Sequence, residues 1–127
     1  MPYVALAARV FLSIIFIKAG ISHISGFSGF QQTIAGQGLP LPGLVAVGAI
    51  AFLLIGGILL LLGFKTQIGA ILLIVFLVPT TLLFHNFIAD PSQTNAFLKN
   101  LGLIGGLLMT IFAGPGRLSI DAQTDSV

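Results

Sequence analysis

Cysteine is absent from this chain. That excludes disulfide staples, thiolate metal sites and any thiol–disulfide relay carried by the chain itself. Carboxylates are nearly as scarce, since Asp90, Asp121 and Asp125 are the only acids. Asp121 and Asp125 fall in the tail and no G-x-S-x-G elbow occurs, so no nucleophilic triad can be assembled. P-loop and dinucleotide fingerprints are missing too; "GQGLPLPG" lies between helical segments with no strand before it. A self-contained hydrolase or kinase is excluded.

Charge of either sign is sparse. Only 6% of the 127 residues are charged, against about 25% in ordinary soluble domains. Such a chain cannot clothe a water-soluble domain of this size. It is instead 57% hydrophobic, with a mean hydropathy of +1.15. Membrane is the setting these numbers require. The five Lys and Arg residues are scattered and the net charge is only +2, so no nucleic-acid partner is expected. The length suits one domain over residues 1–127. Lys18 interrupts the first apolar run and "GISHISGFSGF" offers no A-x-A site. The N-terminal segment is therefore expected to be retained rather than cleaved as a secretory signal.

A helix needs about 20 mostly apolar residues to cross a hydrocarbon core. Residues 4–23, 44–63, 68–87 and 97–115 meet that requirement, which predicts an all-α, integral membrane four-helix bundle. The Gly/Ser/Gln-rich "SGFSGFQQTIAGQGLPLPG" reads as an irregular loop, with Phe27 and Phe30 as interfacial anchors. "GFKTQ" reads as a tight turn with Gly63 as helix C-cap. Asn95 is placed to cap the last helix. The polar tail, residues 117–127, is expected to fray at its end.

Four spans put both termini on one face. Arg9, Lys65 and Arg117 belong to that face, and Lys18 and Lys99 to the other. Because cytoplasmic loops carry the Lys/Arg excess, both termini are expected on the cytoplasmic side. Lipid gives helices little hydrophobic reason to associate, so close contact through small side chains must hold the bundle. Ala49, Gly56 and Gly63 recur at seven-residue spacing, Gly102 and Gly106 form a GxxxG, and Gly20 marks a close approach on the first helix. A tight bundle with little room for a large internal cavity is expected.

Ionisable groups at membrane depth call for a functional hypothesis. Arg9 and Lys18 each lie five residues inside an end of the first span, about 7.5 Å at the helical rise. Either can snorkel to the headgroups. At about 100° per residue the two occupy opposite faces. Arg9, Ser13, Phe16, Gly20 and His23 form one stripe that should face inward, leaving Lys18 outside. In "PTTLLFHNF", Thr81 precedes His85 by one turn, Asn86 follows it, and Pro79 frees a backbone carbonyl. His23 and His85 fall at the same end of the bundle. A metal would want a third protein ligand, and only Asp90 is on that side, so no metal is expected. Two imidazoles can shuttle protons or hydrogen-bond a quinone carbonyl, or serve only as satisfied interfacial residues. Haem ligation is open on chemistry alone and gains no support from the spacing.

The whole pattern resembles the DoxX family of small four-span membrane proteins. The resemblance is carried by "ARVFLSIIFIKAGISHI", "GLPLP", "IGGILLLLGFKTQIGA", "HNF" and "GPGRLSID", in family order over nearly the entire chain. "GPGRLSID" is the most specific piece. Two departures stand out. The family often carries an acid before the paired glycines of span two, where Leu53 and Leu54 stand here, and its usual lysine after the first-helix glycine is His23. Arg9 is thus left to carbonyls, Ser13 or headgroups for its satisfaction.

The resemblance implies a bacterial inner-membrane or thylakoid protein, linked in some relatives to thiosulfate:quinone oxidoreduction. Three functions follow as expectations. First comes an accessory or structural subunit of a larger membrane redox or electron-transport complex, bound to other membrane subunits and to lipid. Second comes a quinone-interacting oxidoreductase subunit, with Arg9, Ser13, His23, Thr81, His85 and Asn86 as candidate contacts. No intrinsic cofactor is expected, a quinone being the exception. A small transporter or chaperone-like factor ranks last, because no polar pathway crosses the midplane.

Overall fold

The computed structural model describes residues 2–85, 88 and 90–124. Four long helices fall on the four expected segments: α1 (Pro2–Ser25), α3 (Pro42–Leu62), α4 (Thr66–Phe84) and α5 (Thr94–Ala113). Their 19 to 24 residues rise about 28 to 36 Å, enough for a hydrocarbon core of roughly 30 Å. Each carries a stretch apolar enough to cross a membrane. A short helix, α2 (Phe27–Gly36), follows α1, a 3-10 turn (Pro91–Gln93) precedes α5, and α6 (Ile120–Thr124) ends the described chain.

The α1 helix packs on α3, α3 on α4 and α4 on α5, while α5 touches α1 by a smaller contact. Phe16, Leu53, Leu60, Ala70, Leu73, Leu77 and Leu107 form the buried core. Large apolar side chains such as Phe11, Ile14, Ile55, Ile58 and Phe112 point outward and are exposed. A soluble monomer seldom shows so much exposed apolar surface; here it is the lipid-facing coat. Because lipid is as apolar as leucine, close packing has to hold the helices together. Backbone proximity supplies it. A Cβ added to Gly56 would stand 2.7 Å from the Leu73 side chain and 3.1 Å from the Gly69 carbonyl.

Gly63 ends α3 at φ +66, its N–H bonded to the Leu60 carbonyl and that of Phe64 to the Leu59 carbonyl. This is a Schellman cap, as the turn "GFKTQ" requires. Lys65 is left-handed as well, at φ +46.

Several sequence expectations need correction. The stretch read as an irregular loop contains α2, because Phe27, Phe30 and Ile34 sit at helical spacing and Ile34 is buried as α2 packs on α3. Asn95 does not cap α5. The helix begins one residue earlier, and Asp90 instead caps the preceding 3-10 turn by accepting from the Ser92 N–H. The start of the tail is tied down, with Ser119 and Asp121 buried, while the end expected to fray, residues 125–127, lies outside the described residues. Of the expected packing glycines, Gly20, Gly56, Gly63 and Gly106 meet neighbours closely, but Gly102 has nothing within 4 Å. Ala49 lines a cavity. The bundle is therefore not uniformly tight.

Candidate functional site

Two polar constellations lie at opposite ends of the bundle. The proximal one is built around Arg9. Its stripe on α1 faces inward, with Arg9, Ser13, Phe16 and Gly20 buried and Lys18 exposed. Arg9 does not snorkel; it is 2% exposed. Its Nε donates to the Pro115 carbonyl at 2.9 Å, and its Nη1 to the carbonyls of Leu60 and Leu61 at 3.2 and 2.9 Å. Nη2 donates to the Leu118 carbonyl. Leu60 and Leu61 belong to the last turn of α3, where carbonyls have lone pairs free for other donors and the helix dipole favours a cation. Carbonyls, not Ser13 or headgroups, satisfy this guanidinium. Ser13 Oγ donates within its own helix to the Val10 carbonyl at 3.0 Å.

Asp121 completes this knot. Its Oδ1 accepts from Lys65 N at 2.7 Å, and its Oδ2 from Thr66 N at 2.9 Å and Thr66 Oγ1 at 2.7 Å. The carboxylate thus caps the start of α4, where N–H groups have no helical acceptor. Burial pushes the Asp121 carboxyl up, but the Thr66 and Lys65 bonds and the Lys65 charge outweigh it and hold the group below the ordinary aspartate range. Asp121 also attracts the Arg9 charge. A tail carboxylate thus bears on the Arg9 charge, although its direct hydrogen-bond partners are Lys65 and Thr66. Sequence reasoning missed it because α6 has only five residues and nothing local announces the contact.

The distal constellation surrounds a cavity of about 740 Å³, within the rough range of 300–1,000 Å³ typical of small-molecule sites. Phe30, Phe52, Phe76 and Phe84 supply much of its apolar wall; His23, Thr33, Thr80, His85 and Gln93 supply polar groups. The expectation of little internal room is overturned. His23 stacks on Phe30, with ring centroids 3.8 Å apart and planes 9° from parallel. His85 Nδ1 pairs with Gln93 Oε1 at 2.9 Å. An amide oxygen only accepts, so Nδ1 carries the proton and, in the neutral ring, Nε2 is an acceptor. The Gln93 amide nitrogen also donates to the Asp90 carboxylate, and its second N–H is the remaining donor. One pair thereby offers both polarities.

The six candidate contacts do not share a site. His23 and His85 line the distal cavity, whereas Arg9 and Ser13 are absent from its lining. Thr81 turns away: it is buried and accepts from Asn100 Nδ2 at 3.1 Å, between α4 and α5. The helical projection fails there because α4 ends at Phe84 and His85 leaves helical geometry as its cap. Thr80 lines the cavity instead. Asn86 lies outside the described residues. Among the described residues no three His, Cys, Asp or Glu side chains group closely enough to hold a metal ion. Asp90 is engaged with Ser92, whose hydroxyl and N–H bonds hold the exposed carboxyl below its usual range.

The DoxX family model matches residues 4–86, which takes in α1 to α4 and most of the cavity wall. The chain belongs to the DoxX family. Among its relatives, the inner membrane protein YqjF of Escherichia coli is 37% identical over 91% of this chain and 88% of its own. The inner membrane protein YphA of the same organism is 33% identical over 96% and 91%. The Surfeit locus protein 4 homolog of Drosophila melanogaster is 28% identical over 94% of this chain but only 40% of its own length. No solved structure matches. The DoxX match stops before "GPGRLSID", so the segment read as most specific lies outside the matched residues.

Proposed function

We propose that this DoxX protein is a ligand-binding subunit of a bacterial inner membrane, holding an apolar molecule with a carbonyl- or hydroxyl-bearing head, of quinone or quinol type. The observation that carries this reading is the distal cavity, apolar over most of its wall and hydrogen-bonding at His23, His85 and Gln93. A quinol hydroxyl suits the His85 acceptor and a quinone carbonyl suits the Gln93 amide N–H. Aromatic walls suit the ring. In the same proposal the Arg9 end lies in the cytoplasm, because Arg9, Lys65 and Arg117 belong to it. Equilibrium titration of the purified protein in nanodiscs with a short-tailed quinone tests the reading. Saturable binding of one molecule per chain is the expected result, and absence of saturable binding sinks it.

A second reading, an accessory subunit of a larger membrane redox complex, rests on α5. Only 11% of that span is buried, against 22 to 28% of the others. Gentle detergent purification followed by partner identification tests it; a chain that always runs without partners contradicts it. A subunit of this kind can also hold the ligand.

A further inference from the structure

The cavity's open side has a position and a chemistry that bear on how a ligand reaches it. Near the proximal end, where α3 ends and α4 begins, the two helices meet backbone to backbone. A Cβ on Gly69 would lie 2.9 Å from the Leu59 Cβ and 3.1 Å from the Gly56 carbonyl oxygen. Distal to that contact the same two helices line the cavity instead. Both α2 and α4 pack on α3, so α3 floors the groove and the other two wall it. Seven lining residues are exposed: Gly26 just before α2 and Thr33 on it, Val45 and Gly48 on α3, and Val75, Pro79 and Leu83 on α4. The five on the spanning helices are apolar, and the one polar side chain among the seven, Thr33, spends its hydroxyl on the Gly29 carbonyl within α2.

Their depth excludes a mouth confined to water. Phe52, on the floor, is ten residues into α3 from Pro42, which is about 15 Å along the axis and near the middle of the membrane. Val75 is nine residues before the end of α4, about 13.5 Å from it. The groove therefore runs from mid-membrane to the distal interface. His85 and Gln93 lie only at its interfacial end. Polarity is graded along it just as in an amphiphile lying with its chain among lipid tails.

We propose that the groove takes the hydrocarbon chain of a membrane-dissolved amphiphile, which enters sideways from the bilayer between α2 and α4 while its head stays at the His85–Gln93 end. Only the identity of that head rests on the quinone reading. The chain itself is either the prenyl tail of a quinone-type molecule or the acyl chain of a bilayer lipid, which share this chemistry.

The sequence contains no tryptophan, so Phe52→Trp creates a single indole on the cavity floor. Reconstitute the full chain in bilayers whose phospholipids carry bromine on the acyl chain, and compare quenching with that by aqueous iodide. Brominated chains are expected to remove most of the emission and iodide little of it. Gly48→Phe, added at a site where a new Cβ meets nothing within 4 Å, narrows the mouth and should restore most of the emission. A separate Phe112→Trp, on the lipid-facing side where the native ring is 86% exposed, should be indifferent to Gly48→Phe. Phe76→Trp replaces Phe52→Trp if the latter fails to fold.

Quenching by iodide in preference to brominated chains, or by neither, overturns the proposal. An excess of long-chain prenyl alcohol that reverses the quenching assigns a prenyl occupant; unchanged quenching assigns an acyl chain. No quinone is needed in this experiment. A failed quinone titration with successful bromine quenching removes only the head assignment, and the converse removes only the lateral route.

Discussion

Asp121 lies 55 residues beyond Thr66 in sequence, yet its Oδ2 accepts from both the Thr66 N–H and the Thr66 hydroxyl, at 2.9 and 2.7 Å. A carboxylate from the tail thus caps a membrane-spanning helix that has no acidic residue in its own first turn. Asp121→Ala removes these bonds and leaves α4's first N–H groups without their acceptor. The expected loss is roughly 1–3 kcal/mol of stability, read by thermal unfolding in detergent. An unchanged midpoint would mean that water replaces the carboxylate at no cost.

The same bonds give a pH dependence with a defined sign. The Asp121 carboxyl is held below the ordinary aspartate value of 3.8 despite its burial, through Thr66 and Lys65. The unfolded chain therefore takes up this proton before the folded chain does. The contribution is complete above pH 3.8, shrinks as pH falls below it, and is gone once the lowered folded value is passed. Asp121→Asn should flatten that acid limb. An identical limb in both proteins would assign the acid loss to another group.

Arg9 joins α1 to α3 and to the Pro115–Leu118 segment through carbonyls alone. Lysine keeps the charge but has three donors on one nitrogen and cannot reproduce the planar fork. Arg9→Lys is expected to cost about 1–3 kcal/mol, with buried carbonyls left unpaired. Because Asp121 attracts the same charge, a cycle of the charge-removing Arg9→Gln and Asp121→Asn should be non-additive, by roughly 0.5 kcal/mol or more. Strict additivity would show that the two groups act independently.

Glycines separate into those that close the bundle and those that do not. Gly63→Ala forces a side chain at φ +66 and sets its Cβ 2.5 Å from the Ser119 Cβ and 2.6 Å from Arg9 Nη1. A loss of more than about 1 kcal/mol is expected. Gly102→Ala meets nothing within 4 Å and should be neutral or stabilising by up to about 1 kcal/mol through helix propensity. Parallel unfolding curves for the two variants check the contrast.

The spans were legible because apolar runs of that length have few alternatives, and the inward face of α1 because 100° per residue holds along an unbroken helix. Gly63 was legible as a cap from its place after the last apolar residue. The distal site was not. Small residues are consistent with close contact or with a void: Gly56 and Gly69 bring backbones together, whereas Gly48 and Ala49 open a cavity. Thr81 and His85 face different walls because helical projection does not hold past the end of α4. Polar composition hid α2, although Phe27, Phe30 and Ile34 kept a helical period. Asp121 depends on a contact 55 residues away, which no local pattern encodes.

The central claim is a division of labour, with ligand binding at the distal cavity and architecture at the Arg9 knot. Short-tailed quinone binding to wild type, His85→Ala and Arg9→Lys, each verified as folded at the assay temperature, tests it most directly. His85→Ala should weaken binding by about tenfold, the worth of one good hydrogen bond, while Arg9→Lys leaves affinity unchanged. Loss of binding in Arg9→Lys with full affinity in His85→Ala would place the ligand at the opposite end and contradict the account.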